Sequence, residues 1–167
     1  MRWEVSPKIS CGTLRFGMGP IEVSQHLGAP DKIQHDYLLE YAEQRNNAPW
    51  KECAYSKPGL ERISANLHLI GQLCVFDANL LDLPILDVLG YLGDCNGGIY
   101  QAQGGSVYFD QLGIAILQFE ERSIREVVLF SSSYDHHEPL RLISRSEAEE
   151  YYVEIMERDP SQDRLGL

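Results

Sequence analysis

Asp135-His136-His137-Glu138 is the densest run of metal-ligating side chains in the sequence. Imidazoles and carboxylates can hold a divalent ion, but neighbours in one loop do not close a site without ligands from elsewhere. His26, His35 and His68 are scattered, so the run reads as a loop turn ahead of Pro139, and neither a metal nor any other cofactor is expected. Cys11, Cys53, Cys74 and Cys95 form no C-x-x-C pair; Cys74 and Cys95 sit among apolar residues and read as buried thiols. Ser131-Ser132-Ser133 lacks the flanking glycines of a nucleophile elbow and reads as a strand end. Gly97-Gly98 and Gly104-Gly105 do not follow a strand and open a helix at phosphate-cradling spacing, so they read as loop punctuation. Glu120-Glu121 and Glu149-Glu150 could do general acid–base chemistry if a pocket perturbed one of them. A chain with 25 acidic residues makes such pairs by number alone. No catalytic residue is assigned, and a non-enzymatic role is expected.

The elements that would carry any site come from 167 residues, 44% of them hydrophobic and 23% charged, enough for one compact domain or two small fused units. No stretch is apolar for long enough to span a bilayer as a helix, so no membrane partner is expected. The net charge of −11 argues against general attraction to nucleic acid phosphates. That charge is lopsided. Residues 1 to 77 hold 8 Lys+Arg and 9 Asp+Glu, whereas residues 78 to 167 hold 6 and 16, a net of −1 against −10. An acidic half of this kind can steer a basic partner. The charged start Met1-Arg2-Trp3-Glu4 does not fit a secretion signal, and with the unpaired cysteines it points to a reducing, cytoplasmic setting.

An internal repeat organises the chain. Pro20-Ile21-Glu22-Val23 through His26-Leu27-Gly28 falls into step with the segment from Pro84 to Gly93, pairing Ile21 with Leu86, Glu22 with Asp87, Val23 with Val88, Leu27 with Leu92 and Gly28 with Gly93. Each copy has proline near its start, an acid in the first turn and a glycine stop, the punctuation of a short helix. In the second copy Ile85, Val88, Leu89 and Leu92 make one apolar face, and Asp82 is placed to cap it. Downstream, Ile70–Phe76 matches Ile124–Phe130 in spacing and apolar pattern, and 60–69 and 113–120 supply the middle strands. Each unit therefore reads as a helix followed by a three-stranded antiparallel meander. At the carboxyl end Ser146 and Glu149 fit a capping box ahead of an acidic helix through Glu157, which Asp159-Pro160 ends before a loose tail.

The run Leu14-Arg15-Phe16-Gly17-Met18 through Glu22-Val23, Leu27-Gly28 and Pro30-Asp31 resembles the opening of the units in the BamE-like and β-lactamase-inhibitor-protein-like superfamily. The second unit keeps only the helix core and Gly93. The resemblance implies paired units whose sheets join into a concave surface that binds another protein, with no catalytic residues. Small bacterial proteins that open this way include candidate immunity proteins of toxin systems.

The expected fold class is α+β, with two related helix-plus-meander units (1–79 and 80–134) forming a sheet with helices on one face, then an acidic helix and tail (135–167). Ile114–Phe119 is apolar on both alternating faces, so both sides of its sheet need cover. Tyr100, Tyr108, Asp110, Glu120 and Glu126 are the candidate partner-binding residues, an aromatic and acidic patch. The expected function is a cytoplasmic inhibitor or immunity-type protein that docks a basic protein partner. The alternatives are a small-molecule-binding protein or enzyme using a cleft between the units, and a scaffold that forms homodimers through the sheet.

Overall fold

Proline at the start and glycine at the stop bracket the first helix, α1, Pro20–Leu27, whose end is closed by the Gly28 N–H donating to the Ser24 carbonyl. The computed structural model describes residues 1–119 and 122–157, leaving out the side chains of 118–125 and 152–157. Asp159-Pro160 and the tail lie outside the described residues. Ahead of α1 come β1 (Arg2–Ser6), β2 (Ser10–Cys11) and β3 (Leu14–Arg15). After it run β4 (Lys32–His35), β5 (Tyr41–Gln44), β6 (Trp50–Ser56) and β7 (Gly59–Ala65). Two short strands, β8 (Gln72–Val75) and β9 (Ala78–Asn79), and a 3-10 turn at Leu80–Asp82 lead to α2, Ile85–Asn96. A second run follows: β10 (Ile99–Ala102), β11 (Val107–Phe109), β12 (Ile114–Phe119) and β13 (Arg122–Phe130). The chain then adds β14 (Leu140–Ile143) and α3 (Arg145–Glu157).

The strands form two sheets. The larger has nine in the order β14-β10-β11-β12-β13-β7-β6-β5-β4, all neighbours antiparallel. The smaller has the order β3-β2-β1-β8-β9, with β1 and β8 parallel. The class is α+β, rich in strands, with three α-helices and one 3-10 turn among the described residues. Each of α1 and α2 is followed by a four-stranded meander, not the three strands that the sequence suggests. Ile70–Phe76 is the reason: it supplies β8 of the small sheet beside β1, and β7 is the strand that meets β13. An apolar heptapeptide fits either sheet, and only the pairing partner decides between them.

One main core holds the two sheets and the helices together. Val23 of α1, Val88, Leu89 and Leu92 of α2, Trp3 and Leu73 of the small sheet, and Ile63, Ile114, Ile116 and Leu129 of the large sheet share one buried cluster. Trp3 meets Trp50 edge-on with ring centroids 5.7 Å apart, a favourable aromatic geometry that ties the two sheets. Gly59 lets the segment before α1 cross the start of β7: at φ +127° a Cβ there would stand 2.2 Å from the Gly17 carbonyl oxygen. The Gly17 N–H donates to the Leu60 carbonyl and the Leu60 N–H to that of Met18 across this crossing.

Four local expectations are corrected. Gly93 lies inside α2, which runs on to a left-handed Gly97; Asp82 is no cap, because Pro84 holds that position. The C-terminal capping box uses Ser144 and Glu147: Ser144 Oγ accepts from the Glu147 N–H and Glu147 Oε1 from the Ser144 N–H. That box starts α3 two residues before the Ser146 reading. Cys11, Cys53 and Cys74 are buried, whereas Cys95 is exposed near the end of α2. Among the described residues, no helix is long and apolar enough to cross a membrane.

Candidate functional site

Strand alternation gives the nine-stranded sheet two unlike faces. Ile114 and Ile116 of β12 point into the main core, while Ala115 and Leu117 point the other way. On that outer face Ala102, Tyr108, Ala115, Val128 and Phe130 form a second, smaller apolar cluster. The main core is lined by α1, α2, α3 and the small sheet, whereas among the described residues the outer cluster is packed against by Leu117, by Leu140 of β14 and by Tyr134 of the connection after β13. Within that connection, residues 131–139, Tyr134 lies 5.3 Å from Phe130 and His136 lies 4.2 Å from Tyr108, centroid to centroid.

Arg62 of β7 is the pivot of this face. Its Nη2 donates to Asp36 Oδ1 at 2.5 Å and to Glu52 Oε1 at 2.8 Å, and its Nη1 donates to the Tyr134 hydroxyl at 3.2 Å. The guanidinium carbon also lies 5.6 Å from the centre of the Tyr134 ring. Asp36 belongs to the β4–β5 connection, where its carboxylate also accepts the Leu38 and Leu39 N–H groups. Arg62 therefore fastens one loop from each meander onto the outer face. Burial works against its charge, but the hydrogen bonds it donates to Asp36, Tyr134 and Glu52 raise its pKa above the ordinary arginine value. Burial likewise pushes the Asp36 carboxyl up, and Arg62 with the two amides outweighs it, so the net shift is downward.

Asp135-His136-His137-Glu138 lies in the second of these loops, and among the described residues no cluster of ligand side chains could hold a metal ion. His136 Nε2 sits 3.0 Å from Asp110 Oδ1 and its Nδ1 accepts the Glu138 N–H at 3.0 Å, so both ring nitrogens are engaged. That pattern places the ring proton on Nε2 and leaves no free nitrogen for base chemistry. Ser133 Oγ donates to Glu61 Oε1 at 2.7 Å, which makes it a loop anchor at the strand end.

The sequence-derived patch divides. Tyr100 of β10 and Tyr108 of β11 are register partners on the outer face, but Tyr108 is only 8% exposed, beneath His136. Burial pushes its hydroxyl up to about 12, with Glu138, Tyr134 and Asp110 adding to the shift. Asp110 is held by His136. Glu126 stands apart on β13, where Lys51 Nζ reaches it at 2.8 Å from β6. Glu120 lies outside the described residues.

A depression of about 210 Å³ opens between these groups, lined by Arg62, Glu52, Ser64, Leu117, Glu126 and Tyr134. Glu52 and Glu126 also line a larger hollow of about 530 Å³ with Lys51, Asn66, Leu67 and His68. No family model, curated protein or solved structure matches the chain. Its functional reading therefore rests on this geometry.

Sequence spacing missed Arg62, Asp36, Glu52, Lys51 and Tyr134, which span 98 positions from first to last and meet only through strand pairing. The one local signal is Glu61-Arg62 in mid-strand between Leu60 and Ile63, a charge where the pattern wants a partner. A different buried pair serves the fold. Arg45 donates to Glu43 Oε1, the Gly28 carbonyl and Ser24 Oγ, fixing the end of α1 to β5, and Tyr55 donates to the same Glu43 oxygen.

Proposed function

We propose that this chain is a non-catalytic protein-binding module, an inhibitor or immunity-type protein, whose outer sheet face docks a basic protein partner. The carrying observation is the contrast between the two faces of the nine-stranded sheet. One is packed against helices and a second sheet, and the other bears an apolar and aromatic cluster that, among the described residues, is crossed by the connection carrying Tyr134 and His136. A sheet face of this kind, rimmed by charge, has the make-up of a protein interface. Asp36, Glu52, Asp110, Glu126, Asp135 and Glu138 surround it, against Lys51 and Arg62, which favours a basic partner. Glu52 and Glu126 each pair with a cation and His136 has no free nitrogen, which supports binding over catalysis. Four free cysteines suit a reducing compartment such as the cytoplasm.

The two runs of one helix and four strands support a pair of related units, 1–79 and 80–134. The last strands of the two four-stranded runs, β7 and β13, pair at the centre, so strand order runs outward in mirror fashion toward β4 and β10. The hollow beside Lys51 and Glu126 lies at that junction and favours the second reading, a small molecule held between the units.

The test is affinity capture with the tagged full chain in lysate of its native host, alongside Leu117→Asp on the outer face. A single near-stoichiometric basic protein, lost at high salt and weakened by Leu117→Asp, is the expected result, because salt screens exposed charge pairs. Self-association alone, or nothing bound, refutes the reading and transfers weight to a homodimer or to a small ligand.

A further inference from the structure

The junction of the two meanders is incomplete. β13 is in register with β7 only at Val128↔Ser64, Leu129↔Ile63 and Phe130↔Arg62, while β12 accompanies β13 back to Phe119↔Arg122. From Arg122 to Val127, β13 therefore has no strand in register on its β7 side among the described residues. The reason lies in β7, which stops at Ala65. Asn66 turns the chain away by donating its N–H to the Pro49 carbonyl, and the Leu69 and Ile70 N–H groups both donate to the Asn66 carbonyl.

The two sides of this split differ in chemistry. On the outer side lies the hollow of about 530 Å³ where Glu52 and Glu126 meet Lys51, Asn66 and His68. On the core side lies a smaller apolar cavity of about 170 Å³, lined by Leu67, Leu80, Leu81, Ile85, Ile116 and Val127. Leu67 borders both. Neighbouring β13 residues divide between them, Glu126 to the polar hollow and Val127 to the apolar cavity.

We propose that this split takes an extended segment of the partner by strand addition to β13, the segment carrying alternating apolar and basic side chains. Strand addition draws affinity from main-chain hydrogen bonds and specificity from pockets that receive alternate side chains. Here one set of side chains enters the apolar cavity beside Leu67 and Val127. The other set faces Glu52 and Glu126, where an incoming cation takes the place of Lys51 on Glu126. Lys51 is the half-exposed member of that pair, 44% against 13% for Glu126, so it is free to swing into water when displaced. The proposal rests on the reading of the chain as a protein-binding module and specifies where, and by what chemistry, its partner engages.

The test uses the full chain, 15N-labelled, and an end-blocked hexapeptide alternating valine and arginine. Two controls accompany it: glutamate in place of arginine, and N-methylated valines that cannot complete a ladder. The expected result is binding with Kd below about 1 mM, shifts in the amides of residues 122–128, and at least tenfold weaker binding of both controls. Glu126→Gln lowers the affinity about threefold or more, and Lys51→Met raises it by freeing Glu126. Failure of the arginine peptide to shift these amides overturns strand addition, as does equal binding of the N-methylated peptide. A captured partner that the peptide does not displace and that Glu126→Gln does not weaken overturns this inference alone. Peptide binding with no protein captured counts against the broader reading and leaves the split as a peptide site.

Discussion

Replacing Arg62 by methionine removes the one cation that both outer-face loops share. The Arg62 side chain is 12% exposed, Asp36 13% and Glu52 25%, so the substitution leaves two carboxylates facing each other at a largely dry site. Breaking a buried pair by deleting one partner costs about 3–5 kcal/mol, and Glu52, the most exposed of the three, can turn toward water, which favours the lower end. At about 2–4 °C per kcal/mol for a chain of this size, a loss of about 3 kcal/mol lowers Tm by roughly 6–12 °C. Urea unfolding followed by the fluorescence of the buried Trp3 and Trp50 reads the change. The pH dependence fixes the cause. Asp36 has a folded pKa below its unfolded value, so its contribution is complete above the unfolded pKa of about 4 and is lost as pH falls through the folded value. The gap between wild type and Arg62→Met is therefore full at neutral pH and closes in acid, and adding Asp36→Asn to the variant recovers part of it. A neutral-pH gap under about 1 kcal/mol, or one that does not shrink in acid, would refute Arg62 as the pivot.

Three further outcomes test the packing. At pH 8, iodoacetamide with intact-mass detection adds one adduct to the folded chain, at Cys95, because burial pushes the Cys11 and Cys53 thiols up to about 12 and Cys74 is 2% exposed; denaturant brings the count to four, and two fast native adducts would contradict the core described here. The β8–β9 turn holds Phe76 at φ 47° and Asp77 at φ 73°, so Phe76→Asn with Asp77→Gly is expected to stabilise the chain by about 1–2 kcal/mol in urea, and no gain would show that the Tyr91 hydroxyl, which donates to the Val75 and Phe76 carbonyls, already offsets the strain. Gly59→Ala drives a methyl into the Gly17 carbonyl and is expected to cost about 3 kcal/mol or more, or to abolish soluble yield, whereas a near-native Tm would show that the crossing before α1 can move.

The parts of the fold legible in the sequence are those fixed by local chemistry. Pro20 and Gly28 set the bounds of α1, and Ile85, Val88, Leu89 and Leu92 all turn their apolar face inward. The double-sided burial of β12 was readable from unbroken apolar residues. Non-local pairing was not. Ile70–Phe76 has the pattern of a meander strand, and its pairing with Trp3 and Val5 on β1 depends on residues 70 positions earlier. A helix glycine misled for a related reason: Gly93 looks like a stop, yet it sits inside α2 where Ile99 packs close against it. The patch of Tyr108, Asp110 and Glu126 shared a charge and surface logic, but His136 covers the first and pairs with the second, and Lys51 engages the third, contacts that no spacing encodes.

On the function proposed above, the outer face of the nine-stranded sheet is where this chain meets its partner. Amide hydrogen exchange by mass spectrometry, on the chain alone and in the complex captured from its host, tests that most directly. New protection is expected in β12, β13 and the loops carrying Asp36 and Tyr134, with α1 and the small sheet unchanged. Protection confined to α1, α2 or the small sheet, or no partner to measure, would contradict it.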